Sequence, residues 1–396
     1  MTESQSLEPR AGNIQDIQTL RGVSILLVMI AHLPFLFPWA DATEGLVEPF
    51  GFAYGVDLFF IISGFVISRS LYGQLQAVDD EARPTVIVRF WVRRIFRLWP
   101  AAFCVILATL LAVALFDRNP IFAASGDNRT YLAAAAASMF NYMDIWGYLQ
   151  ISKAKPITFL AHYWSLSLEE QFYTVLPFLF LVKRISKKIN VISALIILFF
   201  VFLDRAQFRG FPWWVRIDGL FWGVALYFSG RDIAQPWRSV SPTKQRLAFF
   251  GLIFGIITIP YLFGDLRSAS PLTVVVGAAL VVIASWDLDL FQSFGLLSKA
   301  LNYIGERSYT IYLWHVLVFS LAQLLWLRLS GTGGRAPTLV NGTAIVLIAL
   351  AGLTVCVPFY RWVETPGRAL GRRVASKISV PARLPVFGQT LASEKF

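Results

Sequence analysis

The sequence predicts an all-α polytopic membrane protein of about ten transmembrane helices, with a basic amphipathic interfacial helix and one re-entrant or surface helix besides. Three observations predict it. Of 396 residues, 56% are hydrophobic and only 15% are charged, whereas soluble domains carry roughly 25% charged residues. Apolar runs near the ~20 residues that a helix needs to cross a bilayer recur along the chain. Tryptophans stand at the ends of many runs, at Trp39, Trp99, Trp164, Trp213, Trp286 and Trp362, as in an interfacial belt.

In chain order, residues 1–16 read as a cytoplasmic N-terminal segment without a signal-peptide cleavage pattern, so the first helix is expected to stay as an anchor. Ten stretches read as spans: 17–37, 50–71, 98–116, 165–183, 189–204, 214–229, 247–264, 271–287, 308–329 and 339–363. Residues 17–366 form one transmembrane domain in this reading, and 367–396 a basic cytoplasmic tail. Before the third span, Val86–Leu98 puts Ile87, Trp91, Ile95 and Leu98 on one helical face. Arg89, Arg93 and Arg97 lie on another, with Arg94 three residues before Arg97. Such a helix suits the anionic inner leaflet, and its arginine forks also suit a phosphate-rich ligand.

Thr130–Gly147 contains the alanine run Ala133–Ala137 but also Asn141 and Asp144. If it does not cross, the basic loops Arg83–Arg97, Lys183–Lys188 and Arg231–Arg246 and the tail after Arg361 share one side, and the acidic loop Asp41–Glu48 lies opposite. The positive-inside bias therefore favours a re-entrant or surface helix there, with both termini cytoplasmic. The net charge of +11, from 35 basic and 24 acidic residues, then belongs to cytoplasmic loops and implies no nucleic-acid partner. Cys104 and Cys356 sit in apolar runs and are expected as buried packing residues. Gly331–Gly334 reads as an external turn, since no strand precedes it to make a phosphate loop.

Arg21 and His32 occupy the first span eleven residues apart, on nearly one face and roughly 16 Å apart along the axis. Ionisable groups inside a span are costly and usually face a polar interior, so the pair predicts a polar route with a titratable group at its outer end. At the start of the fourth span, Ser167 and Glu170 have capping-box spacing. Glu169 has no such explanation and needs a partner, with Arg216, His162 and His32 as candidates. Ser308, Tyr312 and His315 share a face at spacings of four and three. All three histidines of the chain lie within or at the mouth of spans, which predicts a shared polar interior. No metal-ligand spacing and no Gly-x-Ser-x-Gly elbow occurs.

Several of these residues fall in patterns that resemble the membrane acyltransferase-3 family. They are Arg21…His32; Gly55-Val-Asp57…Ser63-Gly64-Phe65; Arg94-Ile-Phe-Arg97 with Pro100; and Trp164-Ser165-Leu…Glu169…Phe172-Tyr173. Arg216-Ile-Asp218-Gly219…Gly223, Ser308-Tyr309…Tyr312-Leu-Trp-His315 and Glu364-Thr-Pro366 follow. These seven motifs stand in the family's order from about residue 14 to 370, and the chain looks like a stand-alone member without a fused external hydrolase-like domain.

The resemblance implies an integral membrane O-acyltransferase, by default an O-acetyltransferase, that takes its acyl group from cytoplasmic acyl-CoA. Acetyl-CoA or another acyl-CoA is then a co-substrate, with no permanently bound cofactor. The acceptor is a hydroxyl of a glycan or glycolipid at the outer face of a bacterial inner membrane, as in polysaccharide, lipopolysaccharide or peptidoglycan modification; macrolides and lipo-oligosaccharides are rival acceptors. His32 is expected as general base or transient acyl carrier, Arg21 as the holder of donor charge, and Glu169 as an orienting group. Arg93, Arg94, Arg97, Ser308, Tyr312 and His315 are expected along the acyl-CoA route. Asp57, Ser63, Trp164, Ser165, Tyr173, Arg216 and Asp218 are expected on the acceptor side or the pathway. Membrane lipids are further partners, and the sequence is silent on oligomeric state. A secondary transporter or lipid-glycan flippase also needs charges at mid-membrane, and a pH sensor also uses buried histidines. Both remain open at this point.

Overall fold

A computed structural model of the chain describes residues 14–39, 47, 49–116, 121, 126–182, 188–203, 210–229, 237, 239–263, 266–331 and 337–378. Among them there is no strand. The chain is a multi-pass, all-α membrane protein. Every expected span is occupied by a helix: α1 (Gln15–Ala31), α2 (Gly55–Gln76), the second half of α3 (Arg83–Phe116), α6 (Tyr163–Leu181) and α7 (Ile189–Val201). Then come α8 (Asp218–Ser229), α9 (Pro242–Phe263), α10 (Leu266–Ser285), α12 (Ser308–Ser330) and α13 (Leu339–Leu353). Among the described residues, five helical stretches are long and apolar enough to cross a membrane: Gly51–Gln76, Asp80–Phe116, Pro242–Phe263, Ser308–Ser330 and Leu339–Lys377. Between these elements lie α4 (Asn128–Met139), α5 (Met143–Ser152), α11 (Leu296–Glu306) and, near the end, α14 (Thr365–Lys377).

Helices in lipid associate by close packing rather than by hydrophobic segregation, so small residues mark the contacts. α2 and α8 meet this way. A Cβ on Gly64 would collide with the carbonyl oxygen of Leu220 and lie 3.2 Å from the Cα of Gly223, and one on Gly223 would strike the backbone of Ile61 and Phe65. α1 and α11 meet likewise through Gly22 against Leu301 and Gly305 against Gln18. The opposite, lipid-compatible face shows on α3, where Phe103, Leu107, Leu111 and Leu115 are exposed at four-residue spacing while Val105, Ile106, Thr109 and Val113 are buried.

Several expectations are corrected. The basic segment Val86–Leu98 is no separate interfacial helix, because α3 runs unbroken through Pro100. A proline here removes the donor to the carbonyl of Phe96, and α14 lays Gly367 against that oxygen, where a Cβ would stand 2.6 Å away. Ile95, expected on the packed face, is exposed. Thr130–Gly147 is two short helices rather than one: α4 ends at Met139 and α5 starts at Met143, with Asn141 between them at φ 57°. The expected span 339–363 lies within the apolar stretch Leu339–Lys377 and is irregular inside it, with a turn after Leu353, a short helix at Cys356–Phe359 and a π-helical turn at Tyr360–Glu364. Cys104 is exposed, on the face that α3 turns away from the core, whereas Cys356 is buried. The loops weighed for orientation (Asp41–Glu48, Lys183–Lys188, Arg231–Arg246), the glycine turn Gly331–Gly334 and the end of the tail lie wholly or partly outside the described residues.

Candidate active site

Among the described residues, one cavity lies toward the Arg21 end of α1 and another toward its His32 end. The first, of about 80 Å³, is lined by Arg21, Arg94, Arg97, Ser63, Glu169 and Ser308, among others. The second, of about 620 Å³, is lined by His32, His162, Trp164, Trp213, Trp214 and Arg216, among others. Val56 and Tyr312 line both. The single polar route expected from Arg21 to His32 is thus divided, with Tyr312 in the dividing wall.

In the arginine cavity, the Arg21 guanidinium donates to the Ser308 hydroxyl at 3.2 Å. Arg94 stacks over the rings of Tyr173 at 5.1 Å and Phe90 at 5.4 Å, a cation–π arrangement that keeps its planar fork oriented. Glu169 accepts from the Ser63 hydroxyl at 2.5 Å and from the Tyr173 hydroxyl, and Ser63 and Tyr173 lie 2.7 Å apart. None of the three partners expected for Glu169 is used. One carboxylate therefore shares this cavity with three guanidinium groups, leaving it positive overall.

Glu170 also departs from expectation. α6 begins at Tyr163, so Ser167 sits inside the helix and forms no capping box. Its hydroxyl donates to the Tyr163 carbonyl and accepts from the Met143 backbone N–H at 3.1 Å. Glu170 accepts from the Trp99 indole and the Asn141 amide, each at 2.8 Å, which ties α6 to α3 and to the α4–α5 corner. Arg93 does not reach the cavity. One residue before Arg94, it points elsewhere on α3 and donates to Gln74 at 2.8 Å.

The dividing wall is built by hydrogen bonds. The Tyr312 hydroxyl donates to the carbonyl of His162 at 2.7 Å and accepts from Ser165 at 2.6 Å. Ser165 faces the arginine cavity, while its neighbour Trp164 faces the other.

In the imidazole cavity the three histidines come together. The His32 and His315 rings are 4.8 Å apart edge-on, and His162 and His315 are 5.3 Å apart. Each ring binds a backbone carbonyl through Nδ1: His32 to Val28 at 2.8 Å, His162 to Phe159 at 2.9 Å, His315 to Tyr312 at 2.7 Å. A carbonyl only accepts, so in the neutral ring Nδ1 carries the proton and Nε2 keeps its lone pair. Arg216 is buried beside them, 3.5 Å from the Asp57 carboxylate and 3.6 Å above the Trp213 ring. Asp57 and Asp218 are themselves buried in the first turns of α2 and α8, where the helix dipole favours a carboxylate. Among the described residues no group of three or more histidine, cysteine or acidic side chains is arranged to hold a metal ion.

Sequence reasoning grouped Arg21, Arg94, Arg97 and Ser308 on the donor side, but it set Glu169 toward Arg216 and the histidines and placed His315 on the donor route, whereas Glu169 lines the arginine cavity and the His315 ring packs against His32 and His162. It gave His162 no site of its own, although the residue stands two positions before Trp164. It also passed over Trp214 and the buried trio in which Glu364 accepts from Thr310 and pairs with Arg368.

The profile of a family described as "Acyltransferase domain" matches residues 14–361. The chain is 29% identical over 396 residues to the protein named "Putative peptidoglycan O-acetyltransferase YrhL" of Bacillus subtilis, covering 92% of this chain and 56% of the relative. It is 28% identical over 383 residues to "O-acetyltransferase OatA" of Staphylococcus aureus, covering 89% of this chain and 57% of the relative. The chain thus spans a little over half the length of these curated relatives. No solved structure matches it.

Proposed function

The chain belongs to the acyltransferase-3 family, and from that premise we propose that it is an integral membrane O-acyltransferase. It moves an acyl group, acetyl first among them, from acyl-CoA on the cytoplasmic side to a hydroxyl of a glycan or glycolipid at the outer face of the inner membrane. Both termini are cytoplasmic in this proposal. A cell-wall glycan is one acceptor in keeping with the relatives' names, and a lipopolysaccharide sugar is another.

The observation that carries the reading is the pair of cavities sharing one wall: a positive one with Arg21, Arg94 and Arg97, and one with His32 and His162. Phosphate oxygens of the donor suit the guanidinium forks. Acetyl is the acyl group in keeping with the relatives' names. Aromatic walls at Trp164, Trp213 and Trp214 suit the apolar faces of sugar rings.

In the reaction, the lone pair on His32 Nε2 takes the proton of the acceptor hydroxyl as that oxygen attacks the thioester carbonyl. The tetrahedral intermediate expels the thiolate, and the imidazolium returns the proton to sulfur, leaving an ester and a free thiol. The Val28 carbonyl holds Nδ1–H throughout and so keeps the basic nitrogen directed at the reactants. A transient acyl-imidazole would use the same lone pair.

The test is vesicles carrying the chain, given acetyl-labelled acetyl-CoA on the cytoplasmic side. Label on an outer-face glycan, lost in His32→Ala, is the expected result. Transport of unmodified glycan at the normal rate by His32→Ala, with no label transferred by the parent, would overturn it in favour of a flippase.

A further inference from the structure

His162 does nothing in the reaction as just described, yet its placement is costly. The residue is only 6% exposed, its Nδ1 is committed to the Phe159 carbonyl, and its ring lines the imidazole cavity. Among the described residues Nε2 has no hydrogen-bond partner. A buried acceptor without a donor destabilises a fold, and an apolar side chain of similar size would fill the position without that cost. A donor that arrives from the cavity satisfies this nitrogen. His32 opens onto the same cavity with the same tautomer, and both rings rest against His315. Both rings line one cavity, and an occupant that brings two donors meets both acceptor nitrogens.

We infer that His162 is a substrate-contacting residue whose Nε2 accepts a hydrogen bond from a second hydroxyl of the acceptor, next to the hydroxyl that His32 deprotonates. The acceptor is then a vicinal diol, the grouping that a sugar ring presents, and a simple monohydric alcohol is a poor substrate. His162 takes no proton in the reaction. It holds the neighbouring hydroxyl so that the reacting oxygen lies between His32 and the thioester carbonyl. This inference rests on the acyl-transfer reading for the identity of the occupant.

Minimal probes separate the two ideas. In the full-length protein in nanodiscs, 1,2-cyclohexanediol (both cis and trans) is compared with cyclohexanol. Acetyl transfer from acetyl-CoA is measured as kcat/KM, and donor-free binding by saturation-transfer NMR. The diol offers twice as many hydroxyls, so a twofold preference is only statistical. An unmet buried acceptor predicts a preference of about tenfold or more. His162→Phe is expected to bring diol and alcohol to within about twofold of each other, and His162→Gln, which keeps an acceptor oxygen, to restore part of the preference. No preference in the parent protein, which requires no variant to fold, overturns the inference; so does a preference that survives His162→Phe. If the parent protein transfers acetyl to neither probe, the acyl-transfer reading is decided by the labelled-glycan experiment above. The binding preference, and its loss in His162→Phe, then still decides the role of His162.

Discussion

Gly64→Ala is the change that most directly connects helix packing to the site. On α2, a Cβ at Gly64 points into the carbonyl group of Leu220 on α8, with the Cα of Gly223 also only 3.2 Å away. Both obstacles are backbone, so no rotamer change relieves them, and α8 must move away by on the order of 1 Å to reach ordinary contact. Overpacking of this kind costs about 1–3 kcal/mol, toward the upper end where backbone meets backbone. The displacement also acts on chemistry. Arg216 enters α8 two residues before its first turn and lies 3.5 Å from Asp57 of α2, so a shift of that size opens the ion pair and moves the Trp213–Arg216 wall of the imidazole cavity. Misplacement by about 1 Å lowers rates by about 10²-fold. Gly73→Ala on the same helix is the control, because nothing lies within 4 Å of its added Cβ and alanine is the better helix former. The assays are the thermal unfolding midpoint of the purified protein in detergent and acetyl transfer per folded molecule. Gly64→Ala is expected to lower both and Gly73→Ala to lower neither. Equal behaviour of the two variants would refute the packing account.

Two further outcomes follow from the cavities. Arg94→Lys keeps the charge but loses the planar fork stacked on Tyr173 and Phe90. It is expected to raise KM for acetyl-CoA about tenfold with kcat nearly unchanged, since a bidentate charge-assisted bond contributes about 1.5–3 kcal/mol; an unaltered KM would remove Arg94 from the donor site. Tyr312→Phe keeps the ring in the dividing wall but deletes its bonds to His162 and Ser165. Stability is expected to fall by about 1–3 kcal/mol, and acetyl-CoA hydrolysis by water to rise relative to transfer, measured as free thiol released per ester formed. An unchanged ratio would show that the bonds do not keep the wall closed.

Hydropathy made the helices legible because each span must satisfy its own backbone and carry apolar residues wherever it meets lipid. That constraint acts locally, so it survives reading one segment at a time. Where it failed, the deciding partner was distant in sequence. Nothing near Pro100 announces that Gly367 will pack beside it and let α3 continue. Nothing near Ser167 shows that the backbone of Met143 will occupy its hydroxyl and replace the capping box. The site divides in the same way. Arg21, Arg94, Arg97 and Glu169 stood out because a charge in an apolar run needs a cavity. His162 stood out only as one of three histidines in a shared polar interior and as a candidate partner of Glu169; its place on the cavity wall depends on the Phe159 carbonyl that holds its Nδ1.

The wall between the cavities explains why one short stretch carries so many polar residues. Successive side chains on a helix turn by about 100°, so at the start of α6 His162 and Trp164 reach the imidazole cavity while Ser165 and Glu169 reach the arginine cavity. Tyr312 binds this stretch at both Ser165 and the His162 carbonyl, and its own carbonyl holds the ring of His315. A movement of α6 against α12 therefore alters the wall and the imidazole cluster together. For the acyl transfer proposed above, in which a thioester in one cavity meets a hydroxyl in the other, that coupling links the wall at Tyr312 to the ring of His315, which packs against His32.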